Sequence, residues 1–294
     1  MRRSIPNKMT PPFVLIVVIT ILSLPVAHSQ KPTGPLPDAL LKTVETKQEI
    51  IKRTLGRTPE SEWAGTYYSQ DGLTAGTVLS WHPDIGFIIR WSTCSYGWRE
   101  SANYGAATLK NGVLTLSPEL TSGGGSIYNI GRTLVPVLWG QQHYFVWSNR
   151  LINFCYAVNN SNNAPEINAF FLKDVDREKP RGRFPNVPPE YRKYLFGKPI
   201  IATISEIKPN PEPWIQELTL NVGTADGVVP ETKFYAYSPR NIYMLVEILE
   251  AGEHSSRAYV ITAGYRHSDG MVVPKVGWKF TNHAPADASN YYPG

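Results

Sequence analysis

The chain has 294 residues, 42% of them hydrophobic and 18% charged, which is long and apolar enough for two globular domains. Its formal net charge of +5 falls to +2 once residues 1–29 are set aside, because that segment holds three basic and no acidic side chains. Such a small excess argues against nucleic acid binding, which needs a concentrated positive surface.

Residues 1–29 have the organisation of a signal peptide. A basic start precedes an apolar run from Phe13 to Leu24, Pro25 follows, and Ala27-His28-Ser29 fits the small-x-small cleavage pattern. The run is shorter than the roughly 20 residues that span a bilayer, which disfavours the alternative of an uncleaved anchor. We expect cleavage before Gln30 and export to the periplasm or the extracellular space.

Residues 30–59 combine a proline-containing tether with one helix. Asp38 can cap this helix, apolar residues recur at helical spacing, and Gly56 is placed to end it. We expect an amphipathic helix that lies on the following domain, with a partner-binding helix as the alternative. The apolar positions are Leu40, Leu41, Val44, Ile51 and Leu55.

Residues 60–175 change to the two-residue period of β-strands. Asn111-Gly112 favours the positive φ angles of a type I′ hairpin, and no helix-length pattern separates the strands. The segment therefore predicts an antiparallel sandwich or barrel. The predicted strands lie near 66–69, 76–81, 85–91, 107–110, 113–117, 133–139, 142–147 and 167–173.

Residues 176–197 form a proline-rich basic linker. Prolines lack the main-chain donors that a sheet needs, and clustered like charges resist burial. We expect a solvated linker; the alternative is that its cations dock peripherally on an anionic membrane or cell-wall surface. The cations are Arg177, Lys179, Arg181 and Arg183.

Residues 198–281 show a second set of short strands, which predicts a small closed barrel. The tail from 282 to 294 has no apolar periodicity and is predicted to be disordered. The strands lie near 200–206, 217–222, 232–238, 242–249, 256–262 and 277–281.

The second unit resembles the C-terminal β-barrel domain of flagellar assembly protein T and, more loosely, the barrels of the rod-shape-determining protein C. The likeness lies in residues 220–228, in Phe234, in Val246-Glu247-Ile248 and in residues 253–258. It implies a non-catalytic module for packing or assembly in the bacterial envelope. Glu231 stands where this pattern leads us to expect a second turn glycine.

Trp63-Ala64-Gly65-Thr66-Tyr67 resembles the opening strand of lipocalin-type barrels, in which a tryptophan near the start commonly plugs one end. The precursor as a whole resembles a family of bacterial secreted proteins. That likeness implies export and supplies no activity.

Cys94 and Cys155 are the two cysteines of the chain. In an oxidising compartment two cysteines of one domain are expected to pair, so we predict a disulfide between them. The alternative is that each is a small buried apolar residue.

The histidines and carboxylates suggest no catalytic or metal-binding set. Histidines of the mature chain lack the three- or four-residue spacing of a helical metal pair, and no Cys-x-x-Cys or calcium loop accompanies them. His254-Ser255 and His267-Ser268-Asp269 contain triad residue types, but a triad is defined by spatial roles. We predict no catalytic residue, metal or cofactor.

Six of the eight tryptophans lie in the first unit, and we expect them to form its core. The alternative is that some of them line a site for a sugar or an apolar ligand. Trp98, Tyr104 and Arg99, which lie in a predicted loop, are the candidate ligand-binding residues. The six are Trp63, Trp81, Trp91, Trp98, Trp139 and Trp147.

These features predict an all-β protein with two small antiparallel barrel or sandwich domains preceded by one amphipathic helix. We expect an exported, non-enzymatic binding or assembly module of the bacterial cell envelope, with an envelope protein or a small ligand as its partner. Two alternatives stay open: a carrier of a small apolar or glycan ligand in the aromatic first domain, and a hydrolase. The sequence defines no oligomeric state.

Overall fold

The structure is a computed structural model. The predicted signal peptide, the tether at 30–37 and the tail from 284 lie outside its described residues. The described part contains two closed antiparallel barrels with α1 (Asp38–Leu55) ahead of them, which confirms the predicted fold class. The structure describes residues 38–55, 62–70, 75–93, 99–121, 132–160, 170–208, 216–236, 244–263, 265–266, 270–271 and 273–283.

The first barrel joins eight antiparallel strands in chain order, and the last strand pairs with the first. This up-and-down order closes the sheet without a free edge. The turn at Asn111-Gly112 has φ angles of 53° and 71°, which confirms the predicted hairpin. The strands are β1 (Gly65–Gln70), β2 (Ala75–His82), β3 (Gly86–Thr93), β4 (Arg99–Lys110), β5 (Val113–Thr121), β6 (Thr133–Trp139), β7 (Gln142–Trp147) and β8 (Phe171–Lys173).

Helix α1 lies on the outer face of the first barrel, as its periodicity predicts. Val44 and Ile51 are completely buried against Ile88 of β3 and Ala102 of β4. The packing uses the apolar stripe of the helix and leaves its polar face to solvent.

A second helix, α2 (Leu151–Asn159), separates β7 from β8, where the sequence shows no helix-length pattern. That expectation is wrong because nearly every residue of the helix is apolar, so no polar face marks its period. Phe154, Cys155 and Val158 are buried with residues of β6 and β7, including Val137.

The segment at 176–197 connects the barrels; its charged side chains from Arg177 to Arg183 are exposed, as expected of a linker, but its apolar residues are packed. Val187 and Tyr194 are buried in the cluster that α2 forms with the first barrel. Asn186 also donates a main-chain hydrogen bond to Leu138 of β6 over 2.7 Å. Apolar residues between the prolines therefore fix the segment to the first barrel.

The second unit is a small closed barrel of six strands, as predicted. The strands after residue 200 are β9 (Ile201–Lys208), β10 (Glu217–Leu220), β11 (Lys233–Ala236), β12 (Met244–Ala251), β13 (Ser256–Ala263), β14 (Tyr265–Arg266), β15 (Gly270–Met271) and β16 (Lys279–Thr281). Around the barrel their order is β10, β13, β12, β11, β16 and β9, and β14 and β15 form a separate two-stranded sheet.

The start of the tail predicted to be disordered is packed on this barrel. Asn282 is buried and accepts a hydrogen bond from the Ile200 main chain.

Candidate functional site

The interior of the first barrel is filled with large apolar side chains over most of its length. Neighbouring strands place directly paired residues on the same side of the sheet, so the pairing identifies the inner positions. Of the six tryptophans expected to form this core, Trp81 and Trp147 belong to it and Trp63 packs against it. Trp139 is buried in the cluster with α2, Trp91 is half-buried, and Trp98 lies outside the described residues. The cluster comprises Ala64, Tyr67, Leu79, Trp81, Phe87, Ile89, Ala107, Leu114, Leu116, Leu134, Phe145, Trp147 and Phe171.

The interior becomes polar toward the end at which β1 and β3 finish. Ser69 pairs with Thr77, Thr77 pairs with Trp91, and Asn103 pairs with the inward Ile89. We call these four inner residues, Ser69, Thr77, Trp91 and Asn103, the polar half. Ser69, Thr77 and Trp91 are half-buried, so solvent reaches this part of the wall.

Two buried polar atoms inside the barrel lack a hydrogen-bond partner. Asn103 is 1% exposed and its Oδ1 is unpaired; Trp81 is 1% exposed and its indole Nε1 is unpaired. Such atoms are uncommon in folded proteins, because burying a polar group without a partner costs free energy. Trp81 pairs with Gly65 and packs on Phe145 toward the Trp63 end, so only the unpaired Asn103 Oδ1, on the wall of the polar half, points to a partner that enters there.

The opposite end of the barrel is closed by Trp63 and His143. The Trp63 ring meets the His143 ring edge to face at 4.8 Å and also packs on Phe145. His143 Nδ1 lies 2.6 Å from Asp176 Oδ2, and its Nε2 lies 3.0 Å from Glu62 Oε1. Trp63 therefore packs across this end of the barrel interior.

The pair of carboxylates around His143 acts as a clamp. Each ring nitrogen of His143 lies within hydrogen-bond distance of a carboxylate oxygen, and its main-chain N–H donates to Asp176 Oδ2 over 3.0 Å. Burial alone would raise the pKa of the Asp176 carboxyl, but hydrogen bonds from Lys179 and His143 lower it below its ordinary value. Since both nitrogens face carboxylates, the geometry assigns His143 to holding the chain rather than activating a nucleophile.

The cations of residues 177–183, which we call the basic segment, are held across this closed end. The Arg177 guanidinium lies 4.9 Å from the centre of the Tyr68 ring, and that of Arg181 lies 5.0 Å from the Trp139 ring. Lys179 Nζ lies 2.5 Å from Asp176 Oδ1. Packing therefore fixes the directions of these side chains.

Gln142 fastens the same segment to the turn between β6 and β7. Its Nε2 donates to the main-chain carbonyls of Arg177 and Lys179, and its Oε1 accepts a hydrogen bond from Arg181 Nε. Trp139 Nε1 donates to the Gly182 carbonyl over 2.6 Å. These hydrogen bonds therefore fix the basic segment to the closed end of the first barrel.

The predicted ligand-binding residues do not form one site in the described structure. Tyr104 faces outward, where it packs with Ile88 beneath α1 and carries the Lys47 ammonium 4.9 Å from its ring centre. Arg99 begins β4 instead of lying in a loop. Trp98 lies outside the described residues.

The predicted disulfide between Cys94 and Cys155 is not formed. Cys155 is a free, buried thiol on the inner face of α2, and its Sγ lies 3.7 Å from the main-chain oxygen of Tyr191. Cys94 lies outside the described residues. The alternative of a small buried apolar residue describes Cys155, whose pKa burial raises to about 12.

Sequence reasoning did not single out Asn103, Glu62, His143 or Asp176 as a group. Their contacts join positions far apart in the chain, and only strand pairing brings them together. One local signal could have indicated the polar half: the two-residue period of strands assigns Thr77 and Asn103 to the inner face of the sheet and their chain neighbours to the outer face.

Comparison with protein-family models, with curated proteins and with solved structures gives no match. Within the described ranges, no group of histidine, cysteine and carboxylate side chains is suited to a metal ion. None of the helices in this part of the chain is long and apolar enough to cross a membrane. The class defined here is an all-β protein of two joined barrels, and its function is argued from its own residues.

Proposed function

We propose that this chain is an exported, non-enzymatic binding and assembly module of the bacterial cell envelope, which docks on anionic lipid through its basic segment. The observation that carries this proposal is the set of cations held rigidly over the closed end of the first barrel. Export is supported by the signal-peptide pattern at 1–29, and a non-catalytic role by the resemblance of the second barrel to an assembly domain.

The charges of the basic segment are available to a partner. Arg181 and Arg183 are exposed, and no carboxylate among the described residues forms an ion pair with either of them. Because ring stacking already orients Arg181 and Arg183, binding costs them little conformational freedom. Cations near an anionic leaflet each contribute on the order of 1 kcal/mol to binding.

Exposed apolar side chains flank these cations. Val175 is 73% exposed and Phe184 is 38% exposed, and they lie immediately before and after the basic segment. Apolar side chains beside cations are the combination that inserts into the headgroup region of a bilayer. A wall polymer would use the cations but gain nothing from Val175.

Vesicle sedimentation of the mature chain tests this proposal. We expect binding to vesicles that contain phosphatidylglycerol and none to pure phosphatidylcholine, with about 25-fold weaker binding of the R181S/R183S variant. The matched control is K275S/K279S, which removes the same charge from exposed positions of the second barrel and should bind normally.

Equal losses in both double variants would show a general charge effect and contradict docking by the basic segment. If the chain sedimented with purified cell wall but not with vesicles, its partner would be a wall polymer and not a lipid.

A further inference from the structure

We infer that the polar half of the first barrel is a binding site for a neutral sugar. This site lies at the opposite end of the barrel from the basic segment and does not depend on membrane docking. Its evidence is the polar lining and the unpaired, buried Oδ1 of Asn103.

The unpaired Asn103 Oδ1 defines what the occupant must supply, which is a hydrogen-bond donor. A hydroxyl group supplies one, and the side chains of Ser69 and Thr77 offer further donors and acceptors on the same wall. An apolar occupant would leave Asn103 Oδ1 unpaired and would bury the two hydroxyls at a cost.

The shape and charge of the lining narrow the choice to a sugar. The four side chains of the polar half are uncharged, so none of these four offers an opposite charge to an ionic ligand. The half-buried Trp91 offers a flat apolar surface beside the polar groups. A sugar ring combines an apolar face that can stack on an indole with hydroxyls around its edge.

Isothermal titration of the mature chain with a panel of neutral saccharides, including N-acetylglucosamine and its disaccharide, tests the inference. We expect saturable binding that Thr77→Val weakens about fivefold and Asn103→Leu weakens more than tenfold, because each change removes a hydrogen bond to the ligand. The matched control is Thr108→Val, an exposed outer position of β4, which should leave the affinity unchanged.

A spectroscopic readout separates ligand contact from a structural effect. The Nε1–H resonance of Trp91 should shift on addition of the sugar, while that of Trp139, which is bonded to Gly182, should not. Saturable binding of palmitate with no binding of any saccharide would overturn the inference. Wild-type affinity in both Thr77→Val and Asn103→Leu would overturn it as well.

Discussion

The hydroxyl of Tyr156 donates a hydrogen bond to the main-chain oxygen of Glu231 over 2.6 Å, although the two residues belong to different barrels. The same hydroxyl accepts a hydrogen bond from the Lys233 main chain over 2.7 Å. Glu231 has a φ of 69°, a conformation that glycine adopts more easily. One side chain of α2 thus secures a strained turn of the second barrel, which explains how glutamate stands where a glycine is expected.

Tyr156→Phe should destabilise the protein by about 1 to 3 kcal/mol, because it leaves a main-chain donor and a main-chain acceptor unpaired between the barrels. Urea unfolding followed by circular dichroism measures the change. Tyr68→Phe is the control, since the half-buried Tyr68 makes no described hydroxyl hydrogen bond and should cost far less. Equal stabilities of the two variants would show that the Tyr156 bridge contributes nothing.

Asp176→Asn should cost about 3 kcal/mol at neutral pH, because it removes the buried carboxylate that pairs with the Lys179 ammonium and bonds the ring and main chain of His143. The pKa of Asp176 is lowered in the folded state, so its stabilisation is complete above the unfolded pKa near 4 and is lost as the pH falls through the folded value. Unfolding free energies measured from pH 6 downward should therefore fall more steeply for the wild type than for Asp176→Asn.

The control for this pH series is Asp174→Asn. Asp174 pairs with Arg177 at an exposed site, so its loss should cost under about 1 kcal/mol. A steep acid response that persists in Asp176→Asn would assign that response to another carboxylate.

The Cys155 thiol should resist iodoacetamide in the folded protein and react after unfolding. Burial raises its pKa to about 12, so almost no thiolate exists near neutral pH, and the chain covers the sulfur. Peptide mass mapping of native and unfolded samples, both unreduced, measures this. If Cys155 did not react in the unfolded, unreduced sample, that result would support the predicted disulfide with Cys94.

Asn103→Leu should stabilise the ligand-free protein by about 1 to 2 kcal/mol, because leucine has a similar volume and removes an unpaired buried polar group. Thermal and urea unfolding check this gain. Thr77→Val, at a partly exposed position of the same wall, should change stability by under about 0.5 kcal/mol. A marked loss of stability in Asn103→Leu would mean that the asparagine stabilises the fold, and would contradict a role in ligand binding alone.

The strands were predictable where alternation and turn chemistry agree. The predicted strands at 133–139 and 142–147 match β6 and β7, and Asn111-Gly112 makes the predicted turn. Helix α2 was not predicted from the sequence. It lies between the two barrels and is apolar on both sides, so it lacks the polar stripe by which an amphipathic helix is recognised.

The site residues were harder to predict than the fold. The sequence around His143 does not indicate that Glu62 and Asp176 contact it, because the three residues are far apart in the chain and only barrel closure brings them together. The prolines of the linker suggested solvation, whereas the apolar residues between them, such as Val187, decide its packing. Burial of an unpaired atom, as at Asn103, depends on neighbours that only the three-dimensional structure supplies.

Hydrogen exchange of the mature chain, with and without phosphatidylglycerol vesicles, tests the envelope-docking account most directly. The account predicts slower exchange of main-chain amides within residues 173–186, which carry the basic segment together with Val175 and Phe184, and unchanged exchange in β12 and β13. Protection confined to the second barrel, or no protection at any vesicle concentration, would contradict docking through the closed end of the first barrel.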